Sequence, residues 1–299
     1  MKRPSLLKGA AALLSLVLAA CSAEVVQSEQ HYYDSAAKAM EKESYDIAIQ
    51  DYQKLLEEYP FSDYSEEAQL RIGQAQYLNK QYAEAIASFQ DFQRMHPTNS
   101  NLVLTEYYTA LAYMDQMGAQ DRDQRAAENA EAHLQSVLAR YPDSPYAAEA
   151  KKKLKECREG LANHEYAIAK FYLIWTNPVG AEARLRRLLE NYPDTDVAGD
   201  ALARFARYFR KRGDVTRSAL AYASLISQYP KNPATAEAQN ELDQLKSKQI
   251  SIPDPPLPAL VETLGRPSIA EAPRPAEASA RTAATAPRAP LPEPPATRN

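Results

Sequence analysis

Between Tyr45 and Pro60 the chain reads YDIAIQDYQKLLEEYP, and the fold can be worked out from that stretch. It is a helical pattern brought to a stop by proline, which lacks an N–H and whose ring disfavours helix in the residue before it. Counting back from Pro60, a small residue stands at twelve (Ala48), a large one at eight (Tyr52) and an apolar one at five (Leu55). The same grammar recurs four more times. The junctions are Glu58-Tyr59-Pro60, Met95-His96-Pro97, Arg140-Tyr141-Pro142, Asn191-Tyr192-Pro193 and Gln228-Tyr229-Pro230, spaced 37, 45, 51 and 37 residues apart. The later small positions are Ala85, Ala130, Ala181 and Ser218; the large ones are Phe89, Leu134, Leu185 and Tyr222. Phe92, Val137, Leu188 and Leu225 stand five back.

This pattern resembles the tetratricopeptide repeat, a helix-turn-helix unit of about 34 residues. Its small position lets two helices approach, its large position fills the gap, and its proline closes the second helix. The first helices supply matching small positions at Ala36, Gly73, Ala110, Ala169 and Ala206. The expected fold is therefore all-α, a superhelix of about five such repeats. Asp63, Asp143, Ser144, Asp194 and Thr195 follow the prolines and suit helix caps. Two repeats are lengthened. Residues 117–125 (MGAQDRDQR) read as a polar loop in the third, and residues 147–163 as an extended helix leading into the fourth, with Lys151, Lys152 and Lys153 on a solvated face.

Punctuation outside the repeats is lopsided. The 299 residues hold 21 prolines and 8 glycines, where average usage gives roughly 15 and 21. Glycine supplies the positive φ of hairpin turns and phosphate-cradling loops. No GxGxxG, GxxxxGK[ST] or GxSxG occurs, which argues against dinucleotide, P-loop and α/β-hydrolase chemistry. Twelve prolines fall between Pro253 and Asn299. That Pro/Ala-rich tail, residues 249–299, has no apolar periodicity and is expected to be disordered.

The N-terminus reads as an address. Lys2, Arg3 and Lys8 precede an apolar run too short to span a bilayer. The run ends in Leu18-Ala19-Ala20-Cys21, which resembles the lipobox of bacterial lipoproteins. The resemblance implies cleavage of residues 1–20, a diacylglycerol and an N-acyl chain on Cys21, and a tether over 21–29. Two or three acyl chains anchor stably where one is marginal. Ser22, a non-aspartate after the cysteine, points by the lipoprotein sorting rule to the periplasmic face of the outer membrane. Loss of three cations leaves 32 basic against 39 acidic residues, a net −7 that argues against a nucleic-acid partner. With Cys21 acylated, Cys157 has no disulfide partner.

Candidate chemistry is sparse. His31, His96, His133 and His164 have no metal-ligand spacing, and no HExxH occurs. Cys157 and His164, seven apart on one helical face, could pair as thiol and imidazole; the plainer reading is a cysteine packed between helices. No cofactor, no metal and no enzyme activity is expected. Repeats of this type instead offer a groove lined by their first helices. In the first three repeats its expected members are Tyr33, Ala37 and Met40; Leu70, Gln74 and Tyr77; and Tyr107, Leu111 and Met114. Tyrosine gives a rigid ring with a polar tip, and methionine adapts to varied ligands.

A lipobox followed by five such repeats resembles the BamD family of outer-membrane β-barrel assembly lipoproteins. Finer segments are similar too: residues 58–65 (EYPFSDYS), 96–101 (HPTNSN), 121–123 (DRD), 141–146 (YPDSPY), 165–169 (EYAIA) and 192–195 (YPDT). The likeness covers roughly residues 18–230. It implies that the repeats of residues 30–146 receive unfolded outer-membrane β-barrel proteins by an aromatic-ended C-terminal segment, in the groove above with Tyr59 and Phe61 at its edge. It implies also that residues 147–248 dock a periplasmic POTRA domain of BamA, Arg184 occupying the position of a contact arginine. Other lipoproteins of that machinery are further partners the likeness allows. The shorter third-repeat insert and the tail depart from the family pattern. An alternative is a repeat lipoprotein that scaffolds cell-wall or division enzymes.

Overall fold

The computed structural model describes residues 26–117, 124–246 and 250–265. The export signal, Cys21 and the Asp121-Arg-Asp123 insert lie outside them. Among the described residues there are twelve helices and no strand. They come in consecutive pairs: α1 (Glu29–Glu41) with α2 (Tyr45–Glu58), α3 (Ser65–Leu78) with α4 (Tyr82–Met95), and α5 (Leu102–Asp115) with α6 (Arg125–Arg140). Then follow α7 (Ala147–Ile174), α8 (Pro178–Asn191), α9 (Asp196–Lys211), α10 (Val215–Gln228), α11 (Thr235–Lys246) and α12 (Pro256–Thr263). The chain divides into two compact units, and the division falls inside α7 after Leu154. The extended helix at residue 147 runs on without a break through the first helix of the fourth repeat.

Every position of the repeat grammar is buried. That holds for the five small residues of the second helices, the five large ones, the five apolar ones and the five small residues of the first helices. In the fifth repeat the close approach is explicit, since Ser218 Oγ donates to the Ala206 carbonyl at 3.0 Å. Each buried Leu, Phe or Tyr of this set contributes about 1.5–3 kcal/mol of transfer free energy.

The five junctions share one hydrogen-bond plan. Tyr59, His96, Tyr141, Tyr192 and Tyr229 each donate their backbone N–H to the carbonyl of the residue four before, at 2.8–2.9 Å. Those acceptors are Leu55, Phe92, Val137, Leu188 and Leu225, the residues five before each proline. The junction carbonyl in turn accepts from Ser62, Asn99, Ser144, Thr195 and Asn232, closing a turn over each proline.

Helix starts depart from expectation. Of the five proposed caps, only Thr195 accepts from a helix N–H, that of Ala198. The helix after Asp63 has Tyr64 at its N-cap and no side-chain cap, and Ser144 Oγ has no partner. Asp194 is instead engaged by Arg158, Nε to Oδ2 at 2.9 Å. Ser28, Asn177 and Asp214 cap α1, α8 and α10. The turns inside repeats also differ from a plain helical reading. In four of the five a left-handed residue follows the first helix, Glu43, Lys80, Thr176 and Gly213, with φ of 57°, 61°, 54° and 77°; the turn of the third repeat runs through residues outside the described ones. Only Gly213 is the glycine such a position favours.

The tail begins later than its composition suggests. Residues 256–263 form α12, whose Leu257 and Leu260, with Leu264 after it, are buried in the second unit. The spacing of those leucines gives one apolar face, and Pro256 starts the helix where its missing N–H has no cost. Proline density concealed this element. Residues 266–299 lie outside the described ones.

Candidate functional site

In the first unit, first helices α3 and α5 bound a cleft of about 290 Å³. Leu70 and Leu104 give it apolar wall, and Glu67, Arg71 and Gln74 line it from successive turns of α3. Arg71 donates to Glu67 Oε1 at 3.1 and 3.2 Å and to Gln74 Oε1 at 3.1 Å. Glu67 also accepts from the Tyr33 hydroxyl. Burial, then this bond, pushes the Tyr33 phenol above its usual value. Tyr33 stacks on Tyr64 at 4.6 Å between ring centres and meets Tyr52 edge-on at 6.1 Å. Tyr52 is pushed up to about 12 by burial. Tyr108 of α5 stands on the other side, within electrostatic reach of Arg71. A guanidinium–carboxylate pair thus lies between tyrosines of the first and third repeats.

Of the residues read from sequence, the cleft gathers Leu70 and Gln74, and Tyr33 reaches it through Glu67. Tyr77 and Tyr107 are placed otherwise. The Tyr77 hydroxyl donates to Asp115 at 2.9 Å and its ring packs on Tyr82 and Tyr108. Tyr107 is buried against Tyr146, ring centres 5.1 Å apart. Both join repeat to repeat. Ala37, Met40, Leu111 and Met114 are half-buried on α1 and α5. Tyr59 donates from its hydroxyl to the Gln27 carbonyl at 2.9 Å, while Phe61 is 99% exposed. The sequence reading missed Glu67, Arg71, Tyr64 and Tyr108. Glu67 and Arg71 lie seven and three residues before Gln74, on the same helical face, so extending that face backwards finds them.

The second unit holds Arg184 in a different setting. Its guanidinium contacts Glu165 Oε2 at 3.0 Å, and Arg187 Nε contacts Oε1 at 3.3 Å. Glu165 is buried, so the two arginines neutralise a carboxylate taken out of water. At the turn between α7 and α8 stand Phe171, Ile174, Trp175 and Val179, all exposed, Trp175 to 68%. Grouped apolar exposure of this kind marks interaction surfaces. Cys157 has no exposed surface, and a thiol so enclosed meets no substrate. Among the described residues no group of three or more His, Cys, Asp or Glu is placed to hold a metal ion, and no helix is long and apolar enough to cross a membrane.

A family model described as YfiO, outer membrane lipoprotein, matches residues 26–222. The chain is 31% identical over 214 residues to the outer membrane protein assembly factor BamD of Xylella fastidiosa strain 9a5c, covering 68% of this chain and 73% of that one. It is 31% identical over 208 residues to the factor of the same name from Vibrio cholerae serotype O1, covering 66% and 86%. A tetratricopeptide protein of Thermus thermophilus aligns at 16% identity with a TM-score of 0.33, over 74% of this chain and 100% of that one. An overlap that loose carries no argument.

Proposed function

Because this chain belongs to the YfiO family of outer membrane lipoproteins, we propose that it is a non-catalytic scaffold of outer-membrane β-barrel protein assembly, held to the periplasmic face of that membrane by acyl chains on Cys21. The observation that carries the reading is the α3–α5 cleft. Its leucines, its amide and guanidinium groups and its flanking tyrosines suit an extended peptide with aromatic side chains. In this role the first unit receives unfolded barrel proteins and needs no cofactor. Nothing in the cleft acts as a nucleophile or a proton donor in a reaction; it binds and releases.

The second unit docks a periplasmic POTRA domain of BamA. Support comes from the apolar tip of Phe171, Ile174, Trp175 and Val179, large enough to bury against a folded surface. Arg184 acts there from α8, tied at present to Glu165, so its charge sets register more than affinity. The experiment is co-purification of the native lipoprotein with its membrane partners. Recovery of a BamA homologue, lost on Trp175→Ser and weakened by Arg184→Glu, is the expected result. A preparation without any BamA homologue overturns the reading.

A further inference from the structure

A cleft of about 350 Å³ in the second unit is used by neither surface above. Tyr166 of α7, Asp200, Arg204 and Arg207 of α9, and Pro233 and Ala234 ahead of α11 line it. Tyr166 stands between two cations. Lys170 Nζ lies 4.5 Å from the centre of its ring, and the Arg204 guanidinium donates to its hydroxyl. Neither Lys170 nor Arg204 forms an ion pair among the described residues. Of the neighbouring charges Arg207 is paired, and Asp200 keeps its charge and is bonded to a neutral amide, so Lys170 and Arg204 leave the cleft with one positive charge in excess. Arg207 contacts Glu237 at 3.1 Å, and Asp200 accepts from Asn232 Nδ2 at 2.8 Å.

Two further features give the cleft direction. Residues 166–181 contain no acid and a single lysine, in a chain whose acids outnumber its bases. Ile174 follows Lys170 by one helical turn on the face that carries Tyr166, and it is 72% exposed. Cation and apolar surface therefore run side by side along α7.

We infer that this cleft is a second binding site, which takes an acidic side chain of an extended protein segment with an apolar residue beside the acid. Guanidinium is the group whose planar fork matches a carboxylate, and Arg204 offers it at the surface with only a phenol to displace. Lys170 adds a second charge, and Ile174 receives the apolar neighbour. The tail of this chain is the wrong sign for the role, with five arginines and three glutamates over residues 266–299. The acid comes from another protein. The charged groups of the site lie on α7 and α9, apart from the Arg184 contact on α8; Ile174 it shares with the apolar tip, and a peptide reads the site in the absence of BamA.

The test uses the full chain and two labelled peptides, one of repeated Asp-Leu pairs and its Lys-Leu counterpart, read by fluorescence anisotropy. The Asp-Leu peptide should bind and the Lys-Leu peptide should not. Arg204→Glu should weaken binding by about tenfold or more, the range of a charge-assisted hydrogen bond, and Lys170→Glu should weaken it less. Arg204 is exposed, so the helical circular dichroism should be unchanged; Arg204→Gln serves if it is not. Equal binding of both peptides, or no response to either arginine variant, overturns the inference. So does displacement by inorganic phosphate at matched ionic strength, or by phosphatidylglycerol vesicles, since the site would then hold a simple anion or a lipid headgroup.

Discussion

The ring of Phe89 lies on the bare Cα of Gly73, so close that a Cβ built there would meet ring carbon Cε1 at 2.6 Å. Those two residues are the small and large positions of the second repeat, on α3 and α4. Alanine is worth up to about 1 kcal/mol more than glycine in a helix, yet here it drives a methyl group into a fully buried ring. Overpacking of that kind costs about 1–3 kcal/mol. Gly73→Ala should therefore lower the urea midpoint of the first unit. A variant as stable as the parent would show that the two helices part freely.

Thr176 presents the opposite case. It holds φ of 54° between α7 and α8, a conformation that costs a residue with a Cβ about 1–2 kcal/mol. Glycine removes that strain but gains freedom in the unfolded chain, which returns about 0.5–1 kcal/mol. Thr176→Gly should stabilise the second unit modestly, by up to about 1 kcal/mol. Thermal unfolding decides the sign, and a lowered midpoint would mean that Thr176 has compensating contacts.

These two positions show why part of the fold was legible and part was not. Small against large at fixed distance from a proline is a contact written in one dimension, because each repeat folds on itself. All its members are buried. The turn residue after each first helix carries no such mark, because Glu43, Lys80 and Thr176 occupy a glycine conformation without being glycine. Helix α12 was concealed by composition, its two leucines and the Leu264 that follows outweighed by neighbouring prolines. The cleft was half-legible. Leu70 and Gln74 follow from repeat geometry, whereas the bonds of Arg71 to Glu67, and of Glu67 to Tyr33 two helices away, depend on how side chains meet in space.

Asp194 should write itself into the acid limb of stability. The hydrogen bond from Arg158, first among its causes, holds the Asp194 carboxyl below its ordinary 3.8. A carboxyl lowered on folding adds stability that is present above the unfolded value and lost as pH falls through the folded one. Arg158→Ala should therefore be less stable than the parent near neutrality, with the gap narrowing below pH 3.8. The titrating part is under about 1 kcal/mol, because the Asp194 side chain is largely exposed. What survives at low pH belongs to the contacts of Arg158 that do not titrate with Asp194, among them its bond to the Asn191 carbonyl and its place 5.4 Å from the centre of the Tyr192 ring. A gap that ignores pH would assign the whole effect to those contacts.

Arg71 provides the functional counterpart. Its charge sits between tyrosines of two repeats on a half-exposed helix face, so Arg71→Glu should leave folding nearly intact. Binding of an unfolded, aromatic-ended barrel segment to the first unit should fall by about tenfold, the effect of losing a charge-assisted contact. Titration with a labelled segment measures it. Parent-like affinity would place the peptide elsewhere on the unit.

Helix α12 also changes what a truncation can remove. It packs on α10 and α8, the second helices of the fifth and fourth repeats, and so lies back across them, while α11 takes the place that follows α10. Leu257, Leu260 and Leu264 are buried there. A chain cut at residue 250, where the prolines thicken, would therefore lose part of its core and bare apolar surface on two repeats. Any shortened form should keep every residue up to 265.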